Sequence, residues 1–303
     1  MKHLYSYILL LRPKNLIIVG VTQWILYRYV LLPYIENPAL DYVHFFILVL
    51  VTISIAASGF VINDLCDHQY DYINKPQKSF IPEPISMANA WKLYFGIITF
   101  GCVLALYLAI YIKNLPLFLL FPGAVLTLYY YSKKWKNSIL LGNVVVSLFI
   151  AFTAGIVWFA ERNSWSSIQI LANKYKVAEV FTVYMSLSFI VNLIREIIKD
   201  IEDMEGDKSA DLTTFPLKYG IISALRLANV LVIFTIVGTL IWLFLSSIST
   251  FAMKMYFLIF VLSPLVLMMS YLKTDTSKAT MVRVSSLLKW VLVAGLFSIF
   301  MMV

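Results

Sequence analysis

Long apolar runs separated by short polar ones dominate the chain, and the runs recur on a scale that fits membrane-crossing helices. Residues 2–12 are short, aromatic and bounded by charge, which predicts a helix lying in the membrane interface. Pro13 ends it. Nine apolar spans then follow, at about 15–34, 42–62, 88–112, 115–131, 139–160, 178–198, 221–245, 255–272 and 285–303. Each is about 17–25 residues long, enough to cross a hydrocarbon core of about 30 Å. The alternating ten-residue segments of a membrane barrel are absent. The pattern predicts an all-α, polytopic membrane protein: nine transmembrane helices bundled around a central cavity, in one domain over residues 1–303.

Two of the spans end unusually. The run ending at Ile62 passes without a break into Asn63, Asp64, Asp67 and Asp71, and the run ending at Ile198 passes into Asp200, Asp203 and Asp207. Both acidic sets are spaced three and then four apart, so on a helix each set shares one face. Most of the sixteen acidic residues lie in these two stretches or just beyond them. Carboxylates so placed repel one another unless cations neutralise them, and acidic residues beside membrane segments point to function.

Composition sharpens this. The chain is 61% hydrophobic and 13% charged, well outside the soluble range. The net charge of +8 is spread through short loops, which makes it a topology signal and leaves no basic domain for nucleic acid. With the N-terminus inside, only Arg28, Lys113, Arg162, Lys174, Lys176 and Lys254 of the 24 Lys and Arg fall outside, in accord with the positive-inside rule. Both acidic sets are then cytoplasmic and the C-terminus lies on the opposite side. The expected location is the inner or plasma membrane of a prokaryote, and nothing at the start reads as a cleavable signal. Cys66 and Cys102 cannot form a disulfide framework, and Cys66 with His68 makes no zinc site.

Hard oxygen donors suit Mg²⁺ or Mn²⁺, and Mg²⁺ is commonly held by one or two carboxylates together with substrate phosphates. Lys75, Lys78, Lys133, Lys134, Arg195 and Lys199 stand near enough in sequence to complete a polyanion site. Taken singly, each lysine is a topology charge and the run Tyr129-Tyr130-Tyr131 an interfacial belt. Taken together they fit a metal-bound diphosphate leaving an allylic carbon inside an apolar, aromatic cavity, where cation–π contacts are worth about 0.5–2 kcal/mol each.

Asn63-Asp64-x-x-Asp67-x-x-x-Asp71 after span two, an Asp-rich motif after span six, Arg12-Pro13 near the start, and Tyr131-Ser132-Lys133 with Leu141-Gly142-Asn143 between spans four and five together resemble the UbiA superfamily of intramembrane prenyltransferases. The resemblance covers essentially the whole chain. It implies transfer of a polyprenyl group from its diphosphate to a lipid or aromatic acceptor. Mg²⁺, with Mn²⁺ as a substitute, would be held by Asn63, Asp64, Asp67, Asp71, Asp200, Asp203 and Asp207. Asp67, Asp71 and Asp200 would act in catalysis. Arg12, Lys75, Lys78, Tyr131, Lys133, Arg195 and Lys199 would bind the diphosphate, and no acceptor residue is assigned.

The second motif, ending Glu205-Gly206-Asp207, is similar to the branch that alkylates geranylgeranylglycerol phosphate in ether-lipid synthesis. Branches that prenylate quinone, tocopherol or chlorophyll precursors are the alternative. The chain departs from the ether-lipid branch at Lys75 and Lys78, where arginines are usual, at Pro84 in place of Gly, at Asp211 in place of Gly, and at Phe215 in place of Leu. Two rival readings fit less well. CDP-alcohol phosphatidyltransferases need an Asp-Gly-x-x-Ala-Arg pattern that is missing, and a cation transporter would carry its carboxylates near the midplane.

Overall fold

A computed structural model describes residues 2–74, 80–209 and 212–303, and all of the regular structure described is helical. Lys75, Lys78 and Asp211 lie outside the described residues, as does the side chain of Asp71.

The chain begins with α1 (Lys2–Leu10), whose Tyr5 and Ile8 are exposed while Leu10 is fully buried, as an interfacial helix requires. Arg12 then adopts the left-handed conformation (φ 53°), which turns the chain so that Pro13 opens α2 (Pro13–Ile25). Six π-helical residues, Leu26–Leu31, extend α2. Next come α3 (Tyr42–Asn74), α4 (Met87–Tyr111), α5 (Leu115–Lys133), α6 (Leu141–Ala160) and α7 (Leu171–Glu202). Two short helices, α8 (Met204–Ser209) and α9 (Phe215–Tyr219), precede α10 (Ile221–Leu245). The chain ends with α11 (Phe251–Phe257), a π-helical segment Leu258–Leu262, α12 (Ser263–Thr274), α13 (Lys278–Phe297) and α14 (Ile299–Met302).

Eight helical stretches among the described residues are long and apolar enough to cross a membrane, against the nine spans predicted. The stretch at 15–34 falls short because its helix carries Lys14, Gln23 and Arg28 and bends into the π-helical turn. Of these, Gln23 is buried and bonds Thr52 on α3 and the Thr153 carbonyl on α6, whereas Lys14 and Arg28 are exposed. The span at 255–272 is a composite of α11, a π-helical segment and α12.

The helices pack in two groups. One holds α3, α4 and α5. The other is arranged around α7, which contacts α6, α10 and α13. Gly101 lets the first group close: a Cβ there would stand 2.6 Å from Phe121 and 2.7 Å from Ser54, so any side chain would push α4 off its neighbours. The main core runs along the second group, from Tyr27, Phe45, Val177, Val180 and Phe181 to Ile194, Ile197, Ile198 and Ile201 beside the second acidic motif.

Candidate active site

The first acidic motif occupies the far end of α3. Asp64 and Asp67 are buried although both carry charge, and each has a cation beside it. Arg12, delivered by the left-handed turn before α2, donates from Nη2 to Asp64 Oδ1 at 2.6 Å and lies 4.9 Å from the centre of the Phe60 ring. Asp67 accepts from Asn63 Nδ2 one turn earlier at 2.7 Å and is bonded by Lys136 Nζ. Lys136 sits in a 3₁₀ turn, Trp135–Asn137, between α5 and α6.

That turn is held tightly. Ser138 Oγ donates to Trp135 O and accepts from the Gly142 N–H at 3.2 Å. A Cβ on Gly142 would meet Trp135 O at 3.0 Å and Lys136 Cα at 3.2 Å, so glycine is what allows the turn to lie on the start of α6. Asn137 Oδ1 also accepts from the Thr213 N–H at 2.5 Å, which ties the turn to the segment after α8.

The second motif is arranged differently from the single helical face that its spacing predicts. The α-helix stops at Glu202. Asp203 caps it, its N–H bonding Lys199 O at 2.9 Å, and α8 starts afresh at Met204. The break folds α8 back onto α3 and buries Asp207. The two acidic motifs therefore meet through α8 and α3. Asp200 stays on α7 and accepts from Asn143 Nδ2, on the first turn of α6, at 2.8 Å. Glu196 takes the two basic residues near the end of α7: Arg195 Nη1 donates to it at 2.9 Å and Lys199 Nζ at 3.0 Å.

Tyr131, near the end of α5, lies between the two motifs, within electrostatic range of Lys136, Glu196, Asp67 and Asp200. Lys133 turns away, its Nζ 4.9 Å from the centre of the Tyr129 ring on the exposed side of α5. Of the residues expected at the site, Arg12, Asn63, Asp64, Asp67, Tyr131, Arg195, Lys199, Asp200, Asp203 and Asp207 lie at this end of the bundle, and Lys133 lies outside the cluster of contacts.

Three contributors, Lys136, Asn143 and Glu196, were not predicted as site residues. Their signal lies in the sequence nonetheless: Lys136 closes the basic link after α5, Asn143 follows Leu141-Gly142, and Glu196 is one turn before Asp200.

Among the described residues no three carboxylates converge tightly enough to cage an ion by themselves. The donor set still suits Mg²⁺. Its members are hard carboxylate and amide oxygens, and such an ion takes only one or two protein carboxylates when phosphates supply the rest. Asp64 and Asp67 lie beside Arg12 and Lys136, and the N-terminus of α6 faces the same region, a position that favours anions.

These features define an integral membrane protein with a buried, cation-flanked pair of acidic motifs at one end of a helical bundle. The chain belongs to the UbiA prenyltransferase family, whose model matches residues 29–296. It is 32% identical to a digeranylgeranylglyceryl phosphate synthase of Sulfurisphaera tokodaii over 64% of this chain and 65% of that relative. It is 31% identical to the Thermococcus sibiricus protein of the same name over 78% of this chain and 76% of that relative. In fold it matches a UbiA homologue from Archaeoglobus fulgidus, solved with GPP and Mg²⁺ bound, with a TM-score of 0.61, 16% identity and coverage of 97% of this chain and 99% of that one.

Proposed function

We propose that the protein transfers a geranylgeranyl group from its diphosphate to the hydroxyl of geranylgeranylglycerol phosphate, forming an ether lipid. The observation that carries this reading is the contact of α8 with α3, which brings the second acidic motif against the first at one end of the bundle. Two acidic ends that face each other, each with cations beside it, suit a diphosphate held through Mg²⁺. The names of the Sulfurisphaera and Thermococcus relatives support the acceptor, and the ligands of the Archaeoglobus homologue support Mg²⁺ and a prenyl diphosphate donor.

In this reading Asn63, Asp64, Asp67, Asp71, Asp200, Asp203 and Asp207 supply the oxygen ligands. Bound Mg²⁺ neutralises the diphosphate and makes it a better leaving group. Arg12 and Lys136 orient the diphosphate and stabilise the charge that grows on it as the C–O bond breaks, where preorganised donors act most strongly. Asn143 holds the Asp200 carboxylate on the side of the site that faces α6. The apolar helix walls exclude water from the allylic carbon. The Lys and Arg bias supports a cytoplasmic position for this end of the bundle, with the C-terminus opposite.

The test is transfer by purified protein in detergent with Mg²⁺ and labelled geranylgeranyl diphosphate. Geranylgeranylglycerol phosphate and, separately, 4-hydroxybenzoate are offered as acceptors. Product with the glycerol phosphate alone supports the reading. Product with the aromatic acid alone overturns the acceptor, and no product with either overturns the activity.

A further inference from the structure

Asn143, which holds the Asp200 carboxylate, is itself held. One turn further along α6, Ser147 is fully buried, and its Oγ donates to Asn143 O at 2.6 Å. That bond uses the hydroxyl proton, so Ser147 Oγ can only accept on its other side. It accepts from Asn192 Nδ2 on α7, at 3.2 Å. Asn192 is fully buried too, and the used proton on Ser147 dictates which way its amide faces. Asn143 Nδ2 in turn donates to Asp200 Oδ2 at 2.8 Å. The run of bonds leaves α7 at Asn192, crosses to α6, and returns to α7 at Asp200.

Two rungs therefore join α6 and α7. One hydrogen bond between two helices sets a distance and leaves them free to turn about it. A second rung removes that freedom, and this one lies two turns away, about 12 Å along α7. Asn143 needs the restraint, because it sits in the first turn of α6, where helices fray. Water does not compete for these bonds inside a membrane bundle. Asn192 Oδ1 has no partner among the described residues. A buried amide oxygen left unpaired is destabilising, and an apolar pair would pack α6 on α7 without that penalty. Cohesion alone thus does not account for Asn192.

We infer that Asn192 is a positioning residue for the transfer reaction: through Ser147 and Asn143 it sets the direction in which the Asp200 carboxylate meets a divalent cation. This rests on the proposed function, in which Asp200 is one of the metal ligands, and it adds a residue two turns below the acidic motif. Hydrogen-bond partners behind a metal ligand fix its orientation, and losing one costs about 10–100-fold in metal affinity or activity. Asn192 acts two steps behind the ligand, which places its effect at the lower end of that range.

The test uses Asn192→Leu, which is similar in size and leaves Ser147 bonded to Asn143 O, and Ser147→Ala, which removes the link itself. Each purified full chain is read in two ways. One is the Mg²⁺ dependence of transfer, and the other is Mn²⁺ binding with inorganic diphosphate, followed by EPR without turnover. Both variants should raise the half-saturating Mg²⁺ concentration by about tenfold and weaken Mn²⁺ binding to match. KM for the acceptor at saturating Mg²⁺ should stay at the wild-type value. In an Asn143→Ala background neither change should add a further loss, because the three residues act as one unit. A half-saturating concentration does not depend on the folded fraction, and Ser147→Ala serves where Asn192→Leu fails to fold. A contact that only joins helices would lower Tm and leave the metal dependence alone. That result in both variants, or losses that add to Asn143→Ala, overturns the positioning role and leaves prenyl transfer standing. No transfer by wild type overturns the proposed function, and Mn²⁺ binding then decides the positioning role by itself. A wild type that binds no Mn²⁺ with diphosphate overturns both.

Discussion

The two acidic ends have the same spacing in sequence and opposite electrostatic designs. At the end of α3 the carboxylates are neutralised from outside: Arg12 comes from the turn before α2 and Lys136 from the turn before α6. At the end of α7 the basic residues belong to the same helix, and Glu196 rather than an aspartate of the motif takes both. Asp200 is left with a neutral amide, Asn143. A charged hydrogen bond is about twice as strong as a neutral one, so Asp64 and Asp67 are pinned and Asp200 is held more lightly. Lys136 lies in one short turn and Asn143 on the first turn of the helix after it, which makes that turn the joint between the two designs.

The largest effects belong to the carboxylates themselves. Asp67→Asn and Asp200→Asn should each lower kcat for prenyl transfer by about 10²–10³-fold or more, the usual loss for one preorganised electrostatic group. Thermal unfolding in detergent should stay near wild type. Retained transfer in both folded variants, at unchanged Mg²⁺, would remove the acidic ends from the chemistry.

The next test separates the two designs. Lys136→Met should cost more transfer than Asn143→Ala, by about tenfold, since it strips a positive charge from a buried carboxylate while the other removes a neutral donor. In an Asp67→Asn background the Lys136→Met change should add little, because the two residues act as a pair. Equal losses from the two single variants would erase the distinction between a pinned and a lightly held end. Gly142→Ala tests the joint. Its methyl would press on Trp135 O and Lys136 Cα, so it should disturb both ends at once and lower transfer and thermal stability together.

Much of this was legible in the sequence, for a physical reason. A span needs a long apolar run whatever its neighbours do, so the α10 boundaries match the predicted 221–245, and α6 ends at Ala160 as its span does. The left-handed turn at Arg12 and the break at Asp203 were not legible. Each depends on what the following segment packs against, Asp64 for the turn and α3 for α8. Spacing alone continued the second motif as one helix, and tertiary packing overrode it. Lys133 shows the same limit: three positions separate Lys133, aimed at a neighbouring ring, from Lys136, aimed at a buried carboxylate. In the first span Gln23 is structural, a role that only the partners Thr52 and Thr153 make visible.

The smallest effect provides a reference for both ends, a carboxylate outside either motif that is held mainly by hydrogen bonds. Asp275 precedes α13 and accepts from the Ser277 N–H at 2.8 Å, Ser277 Oγ at 2.6 Å and Thr280 Oγ1 at 2.5 Å. These bonds, the Ser277 hydroxyl first, favour the charged form and pull its pKa from 3.8 to about 2. A folded-state pKa below the unfolded one means the group stabilises the protein above the unfolded pKa and loses that contribution as pH falls through the folded one. Asp275→Asn should therefore lower the apparent Tm slightly at pH 5–7, and the gap to wild type should close as pH drops toward about 2. Transfer at neutral pH should be unchanged. A gap that stays constant across that range would mean that the carboxylate's charge contributes nothing here. The stronger pinning inferred at Asp64 and Asp67 would then have to come from Arg12 and Lys136 themselves, not from hydrogen bonding to a carboxylate as such.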